Sequence, residues 1–459
     1  MNNHAGTTAY EKPVTLKNIL RFALPTIAMS LFMSFYTMVD GLFVSNLIGT
    51  EALSAINLTA PVISLVTAIS TMLATGGSAV IMKKVGEGKE QEAREDFTSL
   101  ILVNVAVGIL MCAIGYVCMD FIFSRMALSK AVTGYCIDYL KNYLLFTVPI
   151  LLMNNFSLYL IACGKSALSL FCSVGGGITN IVLDYIFIRL LGMGTNGAAV
   201  ATGLGYSVTA VVGFIVFCNP ENLLHFQKPV WRFSVLKKAA SNGCSEMATA
   251  LVTGITTLLF NWSMLKYAGE NGVAAITIIM YVLMFVSSLF SGYSYGVAPM
   301  ISYYCGAGNH AKLKRLVRTS LLIILGISLA SVAISIGITR PLVSIFTRPD
   351  NPVYQLAVTG NRLCSIALCF IGFNIFSSSL FTALNNGVVS AVLAFSRSFV
   401  FMVICLLLLP AFLGVTGIWL ANPLAEGMAI ILAGIMFRKR LIFRYDRKIP
   451  DYFSVAGAP

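Results

Sequence analysis

The chain has 459 residues, of which 58% are hydrophobic and only 11% charged, and it carries a formal net charge of +13. A soluble domain of ordinary composition has roughly 25% charged residues, so this composition excludes a protein whose surface lies mainly in water. The basic residues cluster in particular loops and at the chain ends, which is typical of membrane topology rather than of nucleic-acid binding.

Twelve apolar runs follow one another along the chain, and each is about as long as the roughly 20 residues that cross a bilayer as a helix. Inside lipid the backbone must satisfy its hydrogen bonds within the segment, so we predict helices and not barrel strands. The predicted spans are 18–46, 53–82, 97–119, 136–161, 168–191, 197–218, 243–266, 273–302, 319–339, 360–384, 388–411 and 417–437.

The loops between these spans alternate between basic and nearly uncharged. The basic set comprises the N-terminus, the loop from Lys83 to Arg94, the loop with Lys165, the stretch from Lys228 to Lys238, the loop from Lys312 to Arg318 and the C-terminal tail. By the positive-inside rule this set is cytoplasmic. An even number of spans places both termini there, which predicts a multi-pass protein of the cytoplasmic (inner) cell membrane.

An internal repeat appears when the second half of the sequence is laid over the first without gaps. Glycines then coincide in several elements: Gly76, Gly86, Gly88, Gly194 and Gly197 fall on Gly296, Gly306, Gly308, Gly414 and Gly417. The repeat predicts an all-α membrane protein with twelve transmembrane helices in two pseudo-symmetric six-helix bundles, separated by a cleft. The predicted parts are an N-terminal lobe (1–218), a cytoplasmic linker (219–242), a C-terminal lobe (243–437) and a cytoplasmic tail (438–459).

Two acidic residues inside the predicted spans break this symmetry. Asp40 and Asp184 lie at a similar depth in spans 1 and 5, while the equivalent positions of the second half hold Phe260 and Ile404. Charged groups within a membrane are costly and are functional candidates by default. The alternative is that each aspartate only holds helices together through hydroxyl and amide partners.

Two polar residues can join the aspartates. Asn180 is four residues before Asp184 and therefore shares its helix face, and Thr202 in span 6 can approach them. Two carboxylates, an amide oxygen and a hydroxyl suit Na⁺, or a proton shared between the two acids.

The second half carries a different set of intramembrane charges. Glu246 lies near the cytoplasmic end of span 7 and could reach water, while Arg397 and Glu426 either pair with each other or line the cleft. The eleven cysteines form no CxxC motif, and the three histidines fall in predicted loops or tails, so we expect neither disulfides nor zinc. No nucleotide-binding motif or catalytic constellation is found, which argues against ATP-driven transport and against an enzyme.

Several segments together resemble the multidrug and toxic compound extrusion (MATE) family, in particular its prokaryotic drug-damage-inducible branch. They are MSFYTMVDGLFVSNLIGTEALSAI in span 1, GGGITNIVLDYIFI in span 5, the glycine-rich segment 192–202, and the counterparts ENGVAAITI and GVTGIWLANPLAE in the second half. The resemblance implies a multidrug efflux antiporter, associated with antibiotic resistance, that exports organic and often cationic compounds in exchange for H⁺ or Na⁺ without a cofactor.

The resemblance also implies a cation site, which is a Na⁺ site if Na⁺ is used, at Asp40, Asn180, Asp184 and Thr202. Tyr36, Tyr139 and Asn154 are expected around it. Another branch uses a glutamate on span 7 and an aspartate on span 10; Glu246 could be the former, but span 10 has no acid.

We expect a monomer that contacts lipid and small drug-like molecules and binds no nucleic acid. The alternative is a flippase of lipid-linked sugars from a related superfamily, which should carry more basic residues within the membrane than Arg397.

Overall fold

The computed structural model describes residues 8–48, 50–125 and 129–439, and every element of secondary structure in these ranges is a helix. The first half contains α1 (Thr8–Glu11), α2 (Leu16–Leu47), α3 (Thr50–Gly86), α4 (Glu90–Arg125), α5 (Lys130–Leu145), α6 (Thr147–Ala162), α7 (Ser166–Asp184), a π-helical continuation (Tyr185–Leu190) and α8 (Gly194–Cys218).

The second half begins with one very long helix. It contains α9 (Phe233–Gly306), α10 (His310–Gly337), α11 (Thr339–Ser344), α12 (Pro352–Cys364), a 3₁₀ turn (Ser365–Ala367), α13 (Leu368–Ala383), α14 (Gly387–Phe395), a π-helical turn (Ser396–Phe401), α15 (Met402–Leu413) and α16 (Val415–Phe437).

These helices supply twelve membrane spans within the described ranges. Ten helical stretches are long and apolar enough to cross a bilayer, and the pair Val132–Leu145 and Thr147–Ala162, bent by 54°, makes an eleventh. The 74-residue α9 is interrupted at Gly269 (φ 63°, ψ −158°) and therefore provides two spans. Glycine adopts this positive φ without steric cost, so the chain can turn back there. The predicted count of twelve is confirmed.

Several helices extend beyond the predicted spans. The third span was expected over 97–119, but its helix runs from Glu90 to Arg125; the seventh was expected from 243, but its helix begins at Phe233. Hydropathy marks only the part of a helix that lies in lipid, whereas the helical hydrogen bonds continue into the polar region beyond it.

The two halves repeat one another in backbone conformation. Gly88 and Gly308 lie two residues after the ends of α3 and α9, with φ of 77° and 63°, and Gly194 and Gly414 lie at the starts of α8 and α16, with φ of 58° and 56°. The members of each pair occupy equivalent positions of the two halves, as the sequence repeat predicts.

The halves are in close contact at the face where the α3–α4 and α9–α10 turns lie, which we call the basic face because it carries Lys83, Lys89 and Lys312. A Cβ added to Gly76 would lie 1.9 Å from the carbonyl oxygen of Ala239 in the other half. Real Cβ atoms do not approach backbone this closely, so α3 and α9 touch along their main chains.

Candidate cation site

Two carboxylates face one another in the first half. Asp40 comes from α2 and Asp184 is the last residue of α7, and their side chains are within hydrogen-bonding reach of each other if one proton is shared. Asp184 has no exposed surface. Among the described residues no other group donates a hydrogen bond to either of its oxygens. The structure thus brings together the two acids that the sequence singled out.

The helix that carries Asp184 changes its winding immediately after this residue. The π-helical segment Tyr185–Leu190 follows, and the amide of Leu191 donates to the carbonyl of Ile186 at 3.0 Å. Such π-helical turns are rare and are frequent at functional sites. Gly192 then adopts a φ of 66°. The chain therefore reverses after this π-helical segment and returns as α8.

Asn180 and Thr202 form a second buried pair. The amide of Asn180 donates to the hydroxyl oxygen of Thr202 at 3.2 Å, and that hydroxyl donates to the carbonyl of Ala198 at 2.9 Å. The pairing is possible because α7 and α8 touch: a Cβ on Gly205 would lie 2.7 Å from the carbonyl oxygen of Gly176.

The amide oxygen of Asn180 accepts no hydrogen bond from any described group, although the residue is only 1% exposed. Asn180 stands one helical turn before Asp184 on the same face of α7. A carbonyl-type oxygen and two carboxylates are hard donors that suit Na⁺, and the carboxylates alone suit a shared proton.

Three tyrosines lie close enough to the carboxylates to interact with them electrostatically. Tyr36 and Tyr139 are 4% and 5% exposed, and both interact with Asp40 and with Asp184. Tyr206 also interacts with Asp40 and was not predicted. The sequence could have predicted Tyr206 as part of the site, because it is four residues after Thr202 and so shares its helix face.

A narrow cavity adjoins this cluster. Its lining includes Met33, Tyr36, Met153, Gly177 and Tyr206. Thioether and aromatic side chains adapt to apolar molecules of varied shape, and the glycine leaves the wall without a side chain at that point. An organic molecule entering here would contact Tyr36, which lies one helical turn before Asp40.

Asn154 has a different environment from the one we expected. Its amide donates to the hydroxyl of Ser70 at 3.0 Å and to the carbonyl of Ile150 at 3.4 Å. It therefore ties α6 to α3, and among the described contacts none joins it to the carboxylates.

The charges of the second half form a separate network. Arg397 Nε donates to Glu426 Oε1 at 2.8 Å, and the amide of Asn374 donates to Glu426 Oε2 at 2.6 Å. Of the two alternatives for Arg397 and Glu426, the structure shows the mutual pairing. The pair is only 18% and 5% exposed in its side chains.

Glu246 lies at a cavity between the two halves. The hydroxyl of Tyr295 donates to its Oε2 at 3.5 Å. The cavity is also lined by Thr75 and Ser78 of the first half and by Ser302 and Thr382 of the second. Glu246 is thus part of the interface between the halves, apart from the aspartate pair.

Comparison with known proteins places this architecture in a family. A family profile described as MatE matches residues 25–186 and again residues 247–408. The multidrug export protein MepA of Staphylococcus haemolyticus (strain JCSC1435) is 23% identical over 428 residues, which cover 92% of this chain and 93% of that protein.

Solved structures show the same fold. The outward-facing conformation of a multidrug resistance MATE family transporter superposes with a TM-score of 0.90 at 24% identity, covering 96% of this chain and 98% of that one. A MOP superfamily transporter from Pyrococcus furiosus Vc1 (DSM3638), whose binding pocket is described as reversed in polarity, matches with a TM-score of 0.89 at 23% identity, with coverages of 96% and 98%. The family profile spans most of this chain in two copies, one per half, and the chain therefore belongs to the MatE family and is a MATE transporter, not an enzyme.

Proposed function

We propose that this protein is a secondary active exporter of organic, often cationic compounds, which it exchanges for H⁺ or Na⁺ by alternating access. The observation that supports this most directly is the pair of carboxylates, Asp40 and Asp184, in the first half alone. Their positions in the second half are held by Phe260 and Ile404, so the pair is not part of a scaffold that both halves need. The relatives named as multidrug export proteins support the same class of substrate.

The chemistry of the pair favours a bound cation. Two carboxylates in contact repel each other, and burial of Asp184 removes the water that would otherwise screen them. A proton shared between Asp40 and Asp184, or a Na⁺ held with the oxygens of Asn180 and Thr202, removes that repulsion. Binding of the cation therefore changes how tightly α2 is held against α7.

An organic cation competes for the same charge. The cavity beside Tyr36 and Tyr206 offers aromatic faces, which attract cations, and the carboxylates supply the counter-charge. Either the coupling cation or the substrate neutralises the acids, and this mutual exclusion makes the transport an exchange.

The membrane voltage can drive the exchange where more positive charge enters than leaves, as when one coupling cation enters for a neutral compound or two enter for a singly charged one. One positive charge moving inward across the membrane gains about 2.3 kcal/mol per 100 mV, which corresponds to roughly a fiftyfold concentration ratio. We place the basic face in the cytoplasm of a cell with both termini on that side, in the inner membrane, and we propose a monomer in lipid. In that orientation the close contact between Gly76 and Ala239 shuts the cytoplasmic side.

The alternative, a flippase of lipid-linked sugars, would need basic groups available in the central cleft. Arg397 is paired with Glu426, so the residue on which that alternative depends is already neutralised.

The test is dye uptake into inside-out vesicles that contain the protein, where export from the cell corresponds to accumulation in the lumen, driven separately by a pH gradient or by a Na⁺ gradient. We expect one of the two gradients to drive transport and ATP alone to have no effect. Transport that needs ATP, or that neither gradient supports, would overturn the proposal. Vesicles with Asp40→Asn serve as the inactive control.

A further inference from the structure

The segment that precedes α2 is fastened to the opposite half of the molecule. Tyr10 has no exposed surface, and its ring stacks on that of Tyr303 with 4.8 Å between centroids. Its carbonyl accepts a hydrogen bond from the hydroxyl of Tyr304 at 2.9 Å, and Lys312 Nζ donates to the carbonyl of Glu11 at 3.1 Å. All three partners belong to the second half, on the basic face.

Tyr10 is at the same time bonded to the first half. Its hydroxyl donates to the carbonyl of Ala162, the last residue of α6. One buried side chain therefore connects the end of α6 with the end of α9. The two halves cannot move apart at the basic face while both of these contacts remain.

The segment that precedes α9 is fastened in the mirrored way. The hydroxyl of Ser99 donates to the carbonyl of Val230 at 3.0 Å. Arg232 donates from Nη1 to Asp96 at 2.8 Å and from Nη2 to Glu95 at 2.6 Å. These partners all lie on α4 of the first half, while Arg232 leads directly into the first helix of the second half.

The charges around Arg232 form a tight group. Asp96 is 1% exposed and also pairs with Lys84 at 2.5 Å. Hydrogen bonding to Asp96 and Glu95 raises the pKa of the Arg232 guanidinium above its ordinary value, so it stays charged. Removing one partner from such a group leaves a buried charge without compensation, which is strongly unfavourable.

The two segments are equivalent in the internal repeat, because the register that lays Gly296 over Gly76 also lays Val230 over Tyr10 and Arg232 over Lys12. We propose that Thr8–Pro13 and 230–232 are crossed straps. Each segment precedes the first helix of its own half and binds the opposite half, and both segments must detach before the basic face can open. The first strap is held by an aromatic stack and a hydroxyl, and the second by ion pairs.

The proposal predicts how the molecules divide between a closed and an open basic face, and this prediction requires neither substrate nor coupling ion. Loss of either strap should raise the fraction of molecules with an open basic face. A single hydrogen bond is worth about 1 kcal/mol, so the expected rise is at least about fivefold for each strap.

The experiment measures the distance between the halves at the basic face by pulsed electron paramagnetic resonance in lipid nanodiscs. Spin labels are attached to non-natural amino acids at Lys89 and Ala311, which are exposed on opposite halves, so the native cysteines can stay. We expect one short distance in the unaltered protein and an added longer distance in Tyr10→Ala and in Arg232→Ala. Tyr267→Ala and Arg348→Ala are matched controls, away from the straps, and should leave the short distance unchanged.

Unchanged distances in both strap variants would overturn the proposal. Tyr10→Phe keeps the stack and loses only the bond to Ala162, so it gives a smaller shift in the same direction and replaces Tyr10→Ala if that variant does not insert. Arg232→Lys serves in the same way for the second strap. This test is independent of the proposed function, because the distances can be measured even in a protein that transports no dye.

Discussion

Gly86 and Gly306 pack against one another's helices at the basic face: a Cβ added to Gly86 would lie 2.1 Å from the carbonyl oxygen of Tyr303, and one added to Gly306 would lie 2.0 Å from that of Lys83. In the internal repeat Gly86 is equivalent to Gly306 and Lys83 to Tyr303, so one contact is the image of the other under the pseudo-symmetry of the halves. No side chain, not even a methyl group, fits there while the face is closed.

Gly306→Leu should therefore prevent the basic face from closing. Overpacking of a tight contact costs about 1–3 kcal/mol, which shifts the balance toward the open face by roughly tenfold, and the spin-label distance between positions 89 and 311 should lengthen accordingly. Gly326→Leu is the matched control, because a Cβ at Gly326 meets nothing within 4 Å. A short distance retained in Gly306→Leu would show that the glycine contact does not define the closed state.

Asp40→Asn and Asp184→Asn should each abolish export while the protein still inserts. The amide keeps the shape of the carboxylate but removes the charge with which cation and substrate are proposed to compete. The measurement is dye efflux from cells or vesicles with equal amounts of protein. Asp120→Asn, at an exposed site near the end of α4, should transport normally, and normal efflux from either of the first two variants would rule out the site.

The number of spans and the register of the repeat could be predicted from the sequence because both follow from local requirements. Each apolar run must be helical in lipid. The glycines at 76, 86 and 306 mark contacts between backbones that only glycine permits, and a Cβ at Gly296 would lie 2.4 Å from the hydroxyl oxygen of Thr26. Asp40 and Asp184 stood out for the same reason, since a charge in an apolar run is visible without knowing its neighbours.

The contacts between distant parts of the chain could not be predicted in this way. Phe156 is fully buried and Phe171 is 70% exposed, yet both lie in equally apolar runs, because lipid and protein interior select the same side chains. The roles of Tyr10 and Arg232 depend on partners in the other half. Whether Arg397 pairs with Glu426 or lines the cleft depends on how α16 packs against the π-helical turn.

Thr202→Val should weaken the response to the coupling cation without abolishing export. The valine keeps the shape of threonine but cannot accept the hydrogen bond from the Asn180 amide, so Asn180 is held less firmly. Loss of one buried hydrogen bond should raise the H⁺ or Na⁺ concentration for half-maximal efflux about fivefold. Thr202→Ser retains the hydroxyl and should behave like the unaltered protein; equal responses from the valine and serine variants would contradict a role for this hydroxyl.

Replacing one partner of the ion pair between Arg397 and Glu426 should destabilise the protein more than replacing both partners. Glu426→Gln leaves the guanidinium of Arg397 charged in a site where its side chain is only 18% exposed. Breaking a buried pair in this way costs about 3–5 kcal/mol, while replacing both partners is often nearly neutral. We therefore expect Glu426→Gln to lower the temperature of unfolding in detergent clearly, and the double variant Arg397→Gln with Glu426→Gln to recover most of the loss.

Asn374 makes this comparison sharper. Its amide donates to Glu426 Oε2 at 2.6 Å and to the backbone carbonyl of the same residue at 2.9 Å, and the second of these bonds survives in Glu426→Gln. The cycle of single and double variants therefore isolates the charge interaction. If the losses of stability in the two single variants simply add in the double variant, Arg397 and Glu426 act independently. Arg397 would then be available to line the cleft.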